Sequence, residues 1–297
     1  MQRKPLWVLV GVVGVAMGLS LAAVHGGPAD AQTPPSGESS SELGGIVVLA
    51  GGPPVSYREY IYQPSGESLS EEEEQRIRAE VDRNIARLAA QGKLPAKEDV
   101  VMFDWPLRAS RELSDPGYHG VWGFVDHNLD YPGQLQDYNC GTRTYDMNDG
   151  YNHKGSDYFA WPFPWLKVDT NTVEVVAAAP GVIVQKADGQ YDRQCSWTGS
   201  AWNAVHVRHA DGSVAWYGHL KSGSLTDKAI GESVAAGEYL GIVASSGRSS
   251  GPHLHFQVMD ENGQVIDPYQ GPCNNGPTWW TDQPPYYDSA VNKIMTG

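Results

Sequence analysis

Cysteine is scarce in this chain, with three in 297 residues. They stand at Cys140, Cys195 and Cys273, and no two have the C-x-x-C spacing of a zinc ribbon or a dithiol redox motif, so neither is expected. Three cysteines in an exported chain suggest one disulfide and one spare thiol, and spacing leaves all three pairings open. Positive charge is also in deficit. The 21 Lys and Arg against 35 Asp and Glu leave a formal charge of -14, which argues against a nucleic-acid partner because little is available to neutralise phosphates. Beyond residue 24 there is no apolar run long enough to span a bilayer, and no repeat recurs at a fixed period.

The N-terminus is different. Arg3 and Lys4 precede an apolar stretch from Leu6 to Val24, and Ala29-Asp30-Ala31 offers a small-x-small cleavage site before Gln32. This reads as a signal peptide over residues 1–31, with a retained membrane anchor as the competing reading. The expected product is secreted, extracellular or periplasmic, and free of the membrane after cleavage.

Residues 32–69 are rich in Ser, Gly, Pro and Glu and read as an extended low-complexity linker. A helix follows, in a segment of 70–130 that stands before the expected core. Ser70 with Glu73 makes a capping box, acidic residues fill the first turn, and Ile77, Val81, Ile85 and Leu88 fall at helical spacing. Gly92 and Pro95 stop it. From about residue 100 helical periodicity gives way to short β-type runs: "VEVVAAA", "GVIVQKA", "NAVHVRH", "SVAWYGHL", "YLGIVAS" and "HLHFQVM". Asp211-Gly212 and Asn262-Gly263 mark hairpin turns. The expected fold is mainly β, an antiparallel sandwich or open barrel over 131–270, with a short helical segment ahead of it. Residues 271–297 form an aromatic extension suited to packing over an edge or groove.

In "GPHLHFQV", His253 and His255 lie two apart, so on a strand they share a face at about 7 Å between Cα atoms. Leu254, Phe256 and Val258 then face a core. In "YNHKGSDYF", His153 and Asp157 would lie about 13 Å apart on a straight strand, too far to share a metal. Gly155 between them permits the bend that would bring them together. His153, Asp157 and His255 make three N/O ligands, a set that suits Zn²⁺ and leaves a position open for water, as a catalytic site requires. His219 and His253 are then available for proton transfer. His206 and His209 lie three apart and face opposite sides of a strand; His209 reads as a structural group at a hairpin or a support behind the ligands, and His206 is left facing either groove or solvent. His119 and His127 have no partner at a readable spacing.

The segment His153 to Asp157, "AWYGHL" ending at His219 and Leu220, and "SSGRSSGPHLHFQV" together resemble the lysostaphin-type zinc metallopeptidases, which include the LytM-like and β-lytic endopeptidases. The resemblance covers roughly residues 131 to 270. It implies one zinc per chain on His153, Asp157 and His255, with His219 and His253 as catalytic histidines. It implies a zinc endopeptidase that hydrolyses peptide bonds in bacterial peptidoglycan. An acidic enzyme gains nothing electrostatically on an anionic wall, so binding is expected from groove contacts to aromatics such as Tyr217, Trp161 and Trp165, and a monomer is expected. Some members add an upstream Asn as a latency ligand, for which Asn128 is the counterpart considered. In β-lytic-type relatives a bridge joins positions comparable to Cys140 and Cys195, which implies that pairing and leaves Cys273 free. Two alternatives stand beside the endopeptidase: a non-catalytic wall-binding or hydrolase-activating module of the same fold, and a protease for Gly-rich proteins. The helix-bearing segment reads either as a stabilising element or as a pro-segment that covers the groove.

Overall fold

The computed structural model describes residues 69–98, 100–110, 118–196 and 201–286. The expected signal peptide, the linker up to residue 68 and the end of the aromatic extension lie outside the described residues. Two antiparallel sheets form the body of the fold, mainly β as expected. The larger is eight-stranded. It runs β2 (His119–Gly123), β3 (Ser156–Ala160), β10 (His253–Met259), β7 (Val214–Gly218), β6 (Ala204–Arg208), β5 (Gly181–Ala187), β8 (Ser233–Val234), with β11 (Val265–Ile266) paired to β10. The smaller sheet is β1 (Leu107–Ala109), β4 (Val173–Val176) and β9 (Tyr239–Ile242). A short helix α2 (Pro164–Asp169) follows β3.

The hairpins form where the turn residues predict them. Gly212 (φ +95°) turns β6 into β7, and Gly263 (φ +77°) turns β10 into β11. Both positions need the left-handed backbone that glycine adopts without steric cost. Each strand then sorts its side chains by alternation. Leu254, Phe256 and Val258 enter a core with Val205, Val207, Ala215 and Tyr217. Val173, Val175 and Leu240 meet them from the smaller sheet. Burying side chains such as Phe256 and Leu254 contributes about 1.5–3 kcal/mol each. Residues ahead of 131 join this core through Phe103, Leu107 and Phe124. The aromatic extension also enters it. Phe103 N–H donates to Trp279 O at 2.7 Å, Thr281 N–H donates to Phe103 O at 2.8 Å, and Trp280 is buried against Phe256 and Tyr269.

Helix α1 (Glu71–Ala90) begins at Ser70, whose hydroxyl accepts from Glu73 N–H. The reciprocal half of the capping box is not made; the Glu73 carboxylate pairs with Arg76 instead. Ile77, Val81 and Leu88 pack on Val182, Val184, Val214, Trp216 and Met259. By strand alternation this is the sheet face that also carries His253 and His255.

Two expectations are corrected. The disulfide joins Cys140 to Cys273 and leaves Cys195 free and exposed. The Asp137 carboxylate accepts from the N–H groups of Asn139, Gly141 and Arg143, curling the chain around Cys140. Cys273 N–H donates to Tyr138 O at 2.9 Å, which sets Cys273 against that curl. The chain at Cys195 is tied elsewhere, with Gln194 N–H donating to Ser245 O. Tyr217, expected as a groove aromatic, is fully buried on the opposite face of the sheet, where its hydroxyl accepts from Ala178 N–H.

Candidate active site

His153 lies just before β3, and the chain bends at Gly155. The bend brings His153 Nε2 to 3.2 Å from Asp157 Oδ2. Gly155 serves a second purpose that the sequence does not announce. A Cβ there would lie 2.7 Å from His255 Cε1 and 2.8 Å from Phe256 O, so no other residue fits without displacement. Antiparallel register sets His255 directly opposite Asp157, and His255 Nδ1 lies 3.0 Å from Asp157 Oδ1. Donor atoms of His153, Asp157 and His255 all fall within 4.8 Å of one another.

The outward nitrogen of each imidazole has a fixed partner. His153 Nδ1–H donates to Phe124 O at 2.7 Å, and His255 Nε2–H donates to Gln257 Oε1 at 3.1 Å. These bonds leave His153 Nε2 and His255 Nδ1 as lone-pair donors facing Asp157, the second-layer arrangement typical of metal-ligating histidines. Tyr145 completes the support: its hydroxyl donates to Asp157 Oδ2 at 3.2 Å and its ring stacks on His153 at 4.2 Å. Two imidazole nitrogens and a carboxylate, converging and buried, fit a zinc ion.

His219 and His253 stand beside this cluster with ring centroids 4.5 Å apart. His219 Nδ1–H donates to Ser246 O at 2.6 Å, and His253 Nδ1–H donates to Gly251 O at 2.8 Å. In each neutral ring this makes Nε2 the lone-pair nitrogen, and His253 Nε2 is 3.9 Å from Asp157 Oδ1. His219 has φ +62°, a backbone strain of the kind that concentrates at functional positions. All five residues are at most 4% exposed. Burial pushes the Asp157 carboxyl upward, but His153, His255 and His253 outweigh it and hold it well below the usual range. Burial, then the neighbouring His253 and His255, holds His219 well below the ordinary imidazole value, so it is neutral.

The remaining candidates separate from the cluster. Asn128 Oδ1 accepts from Asp130 N–H and closes its own turn, so its carboxamide is engaged locally. His209 Nδ1–H donates to Pro180 O and its ring tilts against Phe103, away from the cluster. His127 pairs with Asp267 at 2.8 Å, and His119 packs at a tilt against Trp105 and Tyr118. His206 faces neither solvent nor the core shared with the smaller sheet; it lies stacked on Trp216, on the face under α1. Trp165 is covered by the Arg193 guanidinium at 5.0 Å.

The model of "Peptidase family M23" matches residues 152–268, a span that begins just before His153 and ends after His255. Residues 152–268 are an M23 peptidase domain. Over 116 residues the chain is 36% identical to the DD-carboxypeptidase/endopeptidase Mpg of Neisseria meningitidis, a match covering 39% of this chain and 22% of Mpg. It is 29% identical over 107 residues to the peptidoglycan DD-endopeptidase ShyC of Vibrio cholerae, covering 36% of this chain and 20% of ShyC. The chain thus spans about a fifth of the length of these curated relatives. Among solved structures, the catalytic domain of lysostaphin from Staphylococcus simulans aligns at 26% identity and a TM-score of 0.33, over 54% of this chain and 96% of that one.

Sequence reasoning missed several residues of the M23 domain and its cover. Gln257 and Tyr145 are ordinary in sequence and become informative only through register and stacking. Trp202 packs 5.0 Å from His219 and 5.8 Å from His255, reaching them from a loop. The cavity at the histidines is lined by Tyr151, Trp202 and Gln257, and on its other side by Leu69 and Glu74 from the start of α1. Glu74 is buried and pairs with Lys154, next to His153, and with Arg78 on its own helix, each at 2.6 Å.

Proposed function

We propose that this chain is an exported zinc endopeptidase acting on peptide bonds in peptidoglycan, held latent by the helix ahead of its domain. The observation that carries the reading is the set of three converging donors beside two histidines whose Nδ1 atoms are held by backbone carbonyls. His153, Asp157 and His255 would hold one zinc. When bound, the ion supplies Lewis acidity, polarising a carbonyl and lowering the pKa of water. His219, held neutral by burial, or His253 accepts a proton at Nε2, and the same group returns it to the departing amine. The other orients the reacting groups or donates to the developing oxyanion.

The name of ShyC favours peptidoglycan as the substrate class. Complete retention of the five-residue constellation favours an enzyme over a binding or activating module. Leu69 and Glu74 at the cavity favour the pro-segment reading of residues 32 to about 100, because a peptide reaching His219 must displace them. Export rests on the N-terminal charge and apolar pattern alone.

The test is digestion of purified peptidoglycan by the intact chain, before and after limited trypsin treatment at the exposed Lys93 and Lys97. Mass analysis should show peptide cleavage that increases after nicking and disappears with a zinc chelator. Cleavage of a Gly-rich protein with peptidoglycan left intact would favour the protease alternative, and no hydrolysis of either would favour the binding module.

A further inference from the structure

Past the histidine cluster, the same sheet face carries a second set of polar side chains. Register places Gln185, His206, Trp216 and Gln257 side by side on β5, β6, β7 and β10. Each is at most 4% exposed. Five of their polar atoms have no hydrogen-bond partner among the described residues: Gln185 Oε1, His206 Nδ1 and Nε2, Trp216 Nε1 and Gln257 Nε2. Buried polar groups are almost always paired, and an unpaired one is destabilising. Four neighbours in one row therefore mark a surface built for something other than its present cover. That cover is α1, whose Ile77 and Val81 share an apolar cluster with Val184 and Trp216 and offer these atoms no partner.

We propose that this row is a binding strip for the main chain of an extended peptide substrate, uncovered when α1 leaves the sheet. The proposal rests on the peptidase reading above. The row begins at the reaction site, since Gln257 Oε1 already holds His255. Three strand spacings of about 4.8 Å carry it roughly 14 Å away, the reach of about four extended residues. Gln257 Nε2 and Trp216 Nε1 are donors suited to peptide carbonyls, and Gln185 Oε1 is an acceptor suited to a peptide N–H. Burial pushes His206 down to about 3, so its neutral ring offers one donor and one acceptor. The row holds no charge, as a string of amides requires. A glycan is disfavoured because a sugar ring stacks on an open aromatic face, and the Trp216 face is occupied by His206 at 4.4 Å.

Two measurements on the full chain test this. With α1 in place, Gln185→Leu/His206→Phe should raise Tm by a few degrees, because two unpaired polar side chains become apolar under an apolar helix. With α1 released by Val81→Asp or by trypsin nicking, the zinc-loaded chain should bind capped pentaglycine. The double substitution should weaken that binding by about tenfold or more, the scale of two lost hydrogen bonds. A lowered Tm would show that water or another structural partner satisfies the row, and would overturn the proposal. So would peptide affinity within twofold of the parent, or binding of chitotetraose in place of the peptide. Failure of the peptidase reading is separable, because it appears as zinc content and hydrolysis that survive substitution of His153 or His255.

Discussion

At His219 the backbone takes a conformation few side chains adopt, and the reward is an imidazole whose Nδ1 proton is pinned on Ser246 O while Nε2 faces the ligand cluster. His219→Ala and His253→Ala should each retain zinc and lose about 10²–10⁴ in rate, the scale of general acid–base groups. His255→Ala should lose the zinc itself, and Gln257→Leu should weaken zinc binding by about 10–100-fold. Metal content measured beside hydrolysis rates checks all four. His206 makes a separate prediction. Its folded ring stays neutral down to about 3, while in the unfolded chain it protonates below about 6.5. The unfolded state therefore binds more protons, and stability falls as pH falls from 6.5 toward 3. By pH 4 this costs about 3 kcal/mol. His206→Phe should flatten the denaturation curve over that window, and an unchanged pH slope would refute the assignment. The motif histidines and Asp157 were singled out in the sequence because their spacing sets His253 and His255 on one strand face and lets Gly155 bend His153 toward Asp157. Gln257 and Tyr145 were not, since an amide or a phenol in a strand or loop has many ordinary roles.

Among the elements, α1 and the long strands were legible for a common reason: each is long enough for its period to repeat. The stripe Ile77, Val81, Leu88 and the alternation of Leu254, Phe256 and Val258 both emerge as buried faces. Two-residue strands such as β8 and β11 carry no period at all. The disulfide was misread because resemblance supplied a pairing that the fold of 137–143 overrides. Its true partners close a loop across 133 residues, worth about 5 kcal/mol in the chain-entropy model. Cys273→Ser should therefore lower stability by several kcal/mol, whereas Cys195→Ser should change it little. A thiol count on the native, unreduced protein should find one reactive cysteine, and its mapping to Cys273 would contradict the structure.

The whole molecule carries a formal charge of -14, and its proposed substrate is also anionic. Mutual repulsion slows such an encounter and weakens with added salt. Sedimentation of the α1-released chain with purified cell walls should increase between low and physiological ionic strength. Binding that fell with salt would point to a basic patch the sequence does not suggest. This expectation comes from composition alone, whereas the covering of the site by α1 required the three-dimensional arrangement of sheet and helix.

Beyond α1 the chain is stitched to its own far end, where Phe103 bonds in both directions to Trp279 and Thr281. Tension applied at residue 69 would meet α1 first and this stitch only afterwards. The leading segment can then be peeled away like a tab, lengthening the molecule by about 70 Å, because some thirty residues extend to about 100 Å and the helix already spans about 30 Å, while the sheets beneath remain clasped. A wall-anchored or partner-held leader would thereby convert mechanical load into exposure of the histidines.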